Sequence, residues 1–211
     1  MSGVARFSQL FLNESGGGVL LALPYEGLPD WDGTGDDYAE VIVEEEPFLV
    51  RPVGPTFGLF VGDAEGIHEA HWMWLSGQPG VILVVWSAWH DPRRKTLPEN
   101  LEEVARAWEK GMDPRQAWLE EHIEDGGLTW TRHDELVPIA SGVLVLLHGE
   151  EQAAMARLAK LRSIAKNGEL VPADVAPGEY HVETAVIDEL PDGRNLCFLA
   201  RWAPAAMRAG A

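Results

Sequence analysis

The chain has 211 residues, 46% hydrophobic residues and a net charge of -18. This length and composition are those of a globular protein with a substantial core, and they exclude an intrinsically disordered chain. The excess of acids argues against nucleic acid or an anionic membrane surface as a partner, and it is typical of a protein that uses the charge for solubility or for binding a basic partner. Residues 1–70 contain most of this excess, with 13 acids and 2 bases.

The single cysteine and the N-terminal sequence predict a cytoplasmic protein. Cys197 lies in an apolar run without another cysteine in the chain, which is typical of a buried thiol in a reducing compartment. Ser8, Gln9 and Asn13 interrupt the first apolar stretch, so no signal peptide is expected. The apolar run 81–86 is too short to span a bilayer.

The first half of the chain predicts short strands separated by turns. Residues 19–23 are a continuous apolar run between three glycines and a proline, which indicates a strand buried on both faces. Residues 48–53 and 57–61 are β-rich runs joined by a Gly-Pro-Thr turn, and they predict a hairpin. Residues 81–86 predict the strongest strand of the chain.

Three helices are predicted in the second half of the chain. The first opens at Pro98 with apolar residues at helical spacing and acids in its first turn. The second opens with an aspartate cap before Pro114, and both belong to a helical connection over 98–125. The third covers 150–166 and has a broad apolar stripe.

The remaining strands are predicted at 128–132 and 143–147, and a closing hairpin is predicted at 180–187 and 196–202. We therefore expect an α+β fold, with β-rich antiparallel sheets and about three helices, in a single domain over 1–211. A weak echo between residues 15–23 and 140–147 suggests an alternative description as two related sub-lobes, 1–92 and 128–203.

Two short patterns were weighed as metal sites. His68-Glu-Ala-His71 is similar to the zincin motif, but the second histidine comes one residue early. A metal-dependent hydrolase that uses His68 and His71 is kept as an alternative on this ground. Residues 30–36 fit half of a calcium loop, but Val41 stands where the final acid is required. We predict no catalytic residue, metal or cofactor.

The candidate partner-binding surface follows the first strand. It consists of acids with no intervening base and one tryptophan, which its acidic, turn-rich surroundings place at the surface. Its members are Asp30, Trp31, Asp32, Asp36, Asp37, Glu40, Glu44, Glu45 and Glu46.

A series of short motifs occupies about the first ninety residues in a fixed order. The members are 15–24, Leu28-Pro29, Trp31-Asp32-Gly33, Asp37-Tyr38, 48–54, Phe60-Val61-Gly62-Asp63 and Ala70-His71-Trp72. This order resembles immunity protein family 21 of bacterial polymorphic toxin systems. The resemblance implies a small, non-enzymatic cytoplasmic protein that binds and blocks a toxin encoded nearby.

The acidic surface and the resemblance lead to the same expected function. We expect an immunity protein that neutralises a cognate toxin, for which a basic, nuclease-type domain is one candidate. The alternative is a cytosolic binding or scaffold protein without a toxin partner, whose acidity reflects an acidic proteome. The sequence does not indicate an oligomeric state.

Overall fold

The structure is a computed structural model, and it describes residues 10–11, 19–31, 47–62, 69–75, 78–87, 127–148, 170–187 and 197–206. These residues form eleven strands and one six-residue 3-10 helix, η1 (Tyr25–Asp30). The strands are β1 (Leu10–Phe11), β2 (Leu20–Pro24), β3 (Phe48–Val53), β4 (Thr56–Val61), β5 (Glu69–Trp74), β6 (Ile82–Ser87), β7 (Thr131–Ile139), β8 (Val143–His148), β9 (Leu170–Asp174), β10 (Gly178–Ile187) and β11 (Cys197–Pro204). Within this part of the chain, no helix is long and apolar enough to cross a membrane.

The strands form two antiparallel sheets that pack face to face. Sheet A has the order β1-β5-β6-β11-β10-β7, and sheet B has the order β3-β4-β2-β8-β9. The core between them combines alternate residues of both sheets, such as Ala22 and Leu146 of sheet B with Val84 and Trp86 of sheet A. Alternation of this kind is how a sandwich fills its interior.

The central strands are buried on their outer faces as well. Leu21 and Leu23 point away from the sandwich core and are still fully buried, as are Leu83 and Leu199 of sheet A. Strands covered on both faces have continuous apolar runs rather than alternating ones. The prediction that residues 19–23 form such a strand is confirmed.

Three tryptophans supply large rings to the sandwich core. Trp72, Trp86 and Trp202 are buried, and within the described part of the chain their indole N–H groups have no hydrogen-bond partner. Leaving one such donor unpaired costs about 1–3 kcal/mol. Burying one ring contributes about 4–6 kcal/mol, from about 150–250 Å² at 25 cal/mol per Å². Packing therefore outweighs the lost hydrogen bonds.

The two sheets share a symmetric arrangement of strands. Each of β2, β4, β5 and β6 can be exchanged with its counterpart β8, β9, β10 or β11, in that order. After the exchange, the order of these strands within each sheet is the same, and neighbouring strands are still antiparallel. In sheet B, the centre of this symmetry lies between β2 and β8. Ala22 and Leu146, which occupy equivalent positions in the two echoing sequences, are register partners there. Strands from 1–92 and 128–203 thus share both sheets and one core. A common origin of the two sub-lobes stays a prediction.

Most predicted strands occur where the sequence places them. The hairpin of β3 and β4, the strands β6 and β8, and the pairing of β10 with β11 are confirmed. Strand β7 runs to Ile139, well beyond the predicted end at residue 132, and β9 was not predicted. Both are edge strands with polar residues and a proline, so their sequences lack an apolar run.

The antiparallel, β-rich part of the predicted fold class is therefore confirmed. The three predicted helices, over 98–125 and 150–166, lie outside the described residues. Nothing in the described part of the chain supports them.

Among the strands that the structure describes, proline marks three of the four at sheet edges. Pro52 lies in β3, Pro138 in β7 and Pro172 in β9, while the fourth edge strand, β1, has two residues. A proline lacks the backbone N–H that an added strand would need, so it protects a sheet edge from further pairing. We infer that these edges are not sites for strand addition.

Two hydrogen bonds close one side of the sandwich around η1. The Thr56 hydroxyl of β4 donates to the Pro138 carbonyl of β7 at 2.7 Å and so joins sheet B to sheet A. The Glu26 carboxylate of η1 accepts from the backbone N–H of Ser141, in the turn before β8. Gly27 lets η1 lie this close, since a Cβ there would be 2.9 Å from Thr56 Cγ2.

Tyr180 ties the start of β10 to the preceding turn. Its hydroxyl donates to the Ala176 carbonyl at 2.6 Å, in the manner of the tyrosine corner of β-sandwich proteins. The residue is 1% exposed, and burial raises the pKa of its hydroxyl above the usual 10.0. The folded state therefore holds this proton more tightly than the unfolded state.

Replacing Tyr180 with phenylalanine tests this contact. The free energy of unfolding should fall by about 0.5–1.5 kcal/mol at neutral pH, because the hydrogen bond is lost. As pH rises above 10, the free energy of unfolding of wild type should fall relative to that of the variant by up to about 1.4 kcal/mol per pH unit, because Tyr180 ionises first in the unfolded state. Urea unfolding of both proteins between about pH 8 and 11 measures the difference. A difference that stays constant with pH would contradict the assignment.

Candidate partner-binding site

Trp31 holds the end of η1 against sheet B. Its ring is 2% exposed and lies 5.2 Å from the Phe60 ring of β4, at an interplanar angle of 52°. The prediction that Trp31 lies at the surface is therefore wrong. Its acidic sequence neighbours indicated an exposed turn, but the ring turns inward and joins the apolar cluster on the outer face of sheet B.

The acidic segment that follows, residues 32–46, also ends at a fixed residue. The Pro47 carbonyl accepts from the Gly62 N–H at 3.2 Å, and the next ring, Phe48, packs edge-on against Phe198 at 5.5 Å. Both ends of the segment thus contact the same part of β4, at Phe60 and just beyond its end. Trp31 and Pro47, which flank the segment, therefore lie at one place on the sandwich although 15 residues separate them in the sequence.

The charge of this segment is one-sided. Residues 32–46 contain seven acids and no lysine or arginine. These acids, Asp32, Asp36, Asp37, Glu40, Glu44, Glu45 and Glu46, lie outside the described residues. Of the predicted surface, the structure describes Asp30 and Trp31 alone, and Asp30 is exposed.

A small cavity lies beside Asp30, where the end of η1 meets the turn between β3 and β4. Its volume is about 210 Å³. The lining residues are Asp30, Trp31, Arg51, Pro52, Val53, Gly54 and Phe60. Asp30 and Trp31 belong to the surface predicted from the sequence, whereas the contribution of Arg51 and Gly54 depends on the fold.

Gly54 gives the Asp30 carboxylate its position. The glycine has φ 56°, a left-handed conformation that other residues rarely adopt. A Cβ at this position would lie 2.6 Å from Asp30 Cγ, so any side chain would displace the carboxylate. Arg51, on the opposite wall, is half-buried and already has an interaction partner.

A second group of polar side chains lies on the outer face of sheet A. Glu183 is 6% exposed and accepts from Arg201 Nε at 2.8 Å. The Arg201 guanidinium lies 4.5 Å from the centre of the Trp130 ring. A buried carboxylate requires such a partner, so pairing and stacking explain this group without a ligand.

Of the histidine pair in the alternative interpretation as a hydrolase, the structure describes His71 alone. His71 lies in β5 (Glu69–Trp74), an extended strand, whereas the zincin motif requires a helix, and His68 lies outside the described residues. Among the described residues, no group of three or more His, Cys, Asp or Glu side chains is placed to hold a metal ion.

The chain matches none of the protein-family models, curated proteins or solved structures with which it was compared. Its relation to immunity protein family 21 therefore stays a prediction. The site has to be interpreted from its own residues.

Replacing Gly54 with alanine tests the turn that holds Asp30. We expect a loss of about 1–2 kcal/mol in the free energy of unfolding, because the left-handed backbone and the contact with Asp30 both oppose a Cβ. Gly127→Ala is the control, since Gly127 has nothing within 4 Å of an added Cβ. Urea unfolding would contradict the assignment if the two variants were equally stable.

Proposed function

We propose that this chain is an immunity protein that binds and neutralises the toxin of a bacterial polymorphic toxin system, and that it does so through its acidic surface. One observation carries the proposal. Seven acids without a base lie between two residues, Trp31 and Pro47, that contact the same end of β4. A concentrated charge on a rigid framework suits recognition of an oppositely charged protein surface.

The proposed toxin is a basic domain, of which nuclease-type toxins are the candidate class. A protein that cuts nucleic acid needs a positive surface for phosphates. An acidic protein on that surface would compete with the substrate, and the attraction would raise the rate of association. Residues 1–70, which contain the acidic segment, have 13 of the 34 acids of the chain and 2 of its 16 lysines and arginines.

The proposal has further parts that rest on the sequence. They are a cytoplasmic location, the predicted helices over 98–125 and 150–166, and a role that involves no catalysis. The resemblance to immunity protein family 21 supports all but the helices, which come from apolar periodicity.

Rescue in cells tests the function. The reading frame beside this chain should encode a secreted protein with a toxic C-terminal module. Cells that express the module should die, and co-expression of this chain should restore growth. A catalytically dead version of the same module serves as the binding partner in vitro. Absence of such a module, or failure of rescue with soluble, folded chain present, would overturn the proposal.

Neutralising part of the acidic segment tests the mechanism. We expect Asp32→Asn, Asp36→Asn and Asp37→Asn, combined, to slow association with the module by about tenfold at low salt, because steering is reduced. The association rate should also depend less on salt, while dissociation changes little. Stopped-flow mixing at several ionic strengths measures both rates.

The matched control removes the same charge from strands of sheet A. It combines Asp134→Asn, Glu135→Gln and Glu179→Gln, in β7 and β10. If both triple variants associate equally slowly, net charge rather than the acidic segment causes the effect.

A further inference from the structure

The cavity beside Asp30 has the size of a site for one side chain. Its volume of about 210 Å³ is below the roughly 300–1,000 Å³ of pockets for drug-sized ligands and cofactors. At about 30 Å³ per water molecule, it holds roughly seven waters or one long side chain with a few waters.

The charges around the cavity favour a cation. The Asp30 carboxylate is exposed, and it takes part in none of the hydrogen bonds or ion pairs of the described residues. Arg51 on the opposite wall already has an interaction partner. The group left to bind a ligand is therefore a carboxylate, and its natural partner is an ammonium or guanidinium group.

The walls also suit the stem of a basic side chain. Pro52 lines the cavity and is exposed, whereas Val53 is buried, so the proline ring is the apolar surface that a stem can reach. Lysine and arginine pack their methylene groups on such surfaces while their charged ends reach a polar group. Gly54 keeps the approach to Asp30 open because it has no side chain.

We propose that this cavity binds one lysine or arginine side chain of the toxin, with its charged end on Asp30 and its stem against Pro52. The inference rests on the proposed function, since it assigns a contact within that complex. It deepens the electrostatic argument, because a seated side chain fixes the orientation of the partner, whereas the acidic segment only attracts it. The acidic segment then attracts the toxin at long range, and the neighbouring cavity binds one of its side chains after contact.

The test uses small probes in place of the toxin. Nα-acetyl-lysinamide and Nα-acetyl-argininamide carry the charged side chains, and Nα-acetyl-norleucinamide carries a similar stem without charge. Amide NMR spectra of the full chain should show saturable shifts at Asp30, Val53 and Gly54 with the two basic probes. Norleucinamide should leave these signals unchanged. Equal shifts with all three probes would overturn the proposal.

Two variants complete the experiment. Asp30→Asn should weaken binding of the basic probes by about two- to fivefold, the range expected for one exposed ion pair. Asp134→Asn removes the same charge from β7 of the other sheet and should have no effect. Both substitutions are nearly isosteric and lie at exposed positions, so the spectra outside the site should stay the same.

The result separates this inference from the proposed function. Rescue of growth together with unchanged probe binding in Asp30→Asn would leave the immunity function standing and overturn the cavity assignment. Probe binding that depends on Asp30 in a chain that fails to rescue would overturn the immunity function, and with it the toxin as the source of the side chain, while the cavity would stand as a site for a cationic side chain.

Discussion

The pairing of β2 with β8 is the interaction on which the rest of the structure depends. It joins the first half of the chain to the second at the centre of sheet B, and it lies on the axis that relates the two sets of strands. All five residues of β2 are buried. The same strand leads into η1, so its position determines where Trp31 and Asp30 lie. A weakened β2 would disturb the core and the candidate site together.

The described residues on either side of the acidic segment lie at one place on the sandwich. Trp31 on one side and Pro47 on the other contact the end of β4, and the cavity beside Asp30 lies at the same place. The burial of Trp31 changes its role, since the ring holds the framework and is not offered to a partner. Of the acids in the predicted partner-binding surface, Asp30 is the one that the structure describes, and it is exposed next to the buried indole.

Several features of the fold and site were predictable because they depend on neighbouring residues. The apolar run at β2, the Gly-Pro turn before β4 and the hairpin of β10 and β11 have strong local patterns. Strand β7 was underestimated because its first residues, such as Arg132 and Asp134, are polar and exposed, and because its pairing with β10 has a register shift near His181. Trp31 was misplaced because its sequence neighbours are acidic, and a local pattern does not show which way a ring turns at the end of a short helix.

By itself, the sequence determined the charge, its concentration in the first third, the strands with continuous apolar runs and the presence of a glycine turn at Gly54. Only the tertiary structure decided that β2 pairs with β8, that Trp31 packs on Phe60, and that Asp30 lies over Gly54 to form one side of a cavity. The reason is physical. Charge, turn chemistry and strand periodicity act between residues close in sequence, whereas pairing and burial are selected by how distant strands fill a common core.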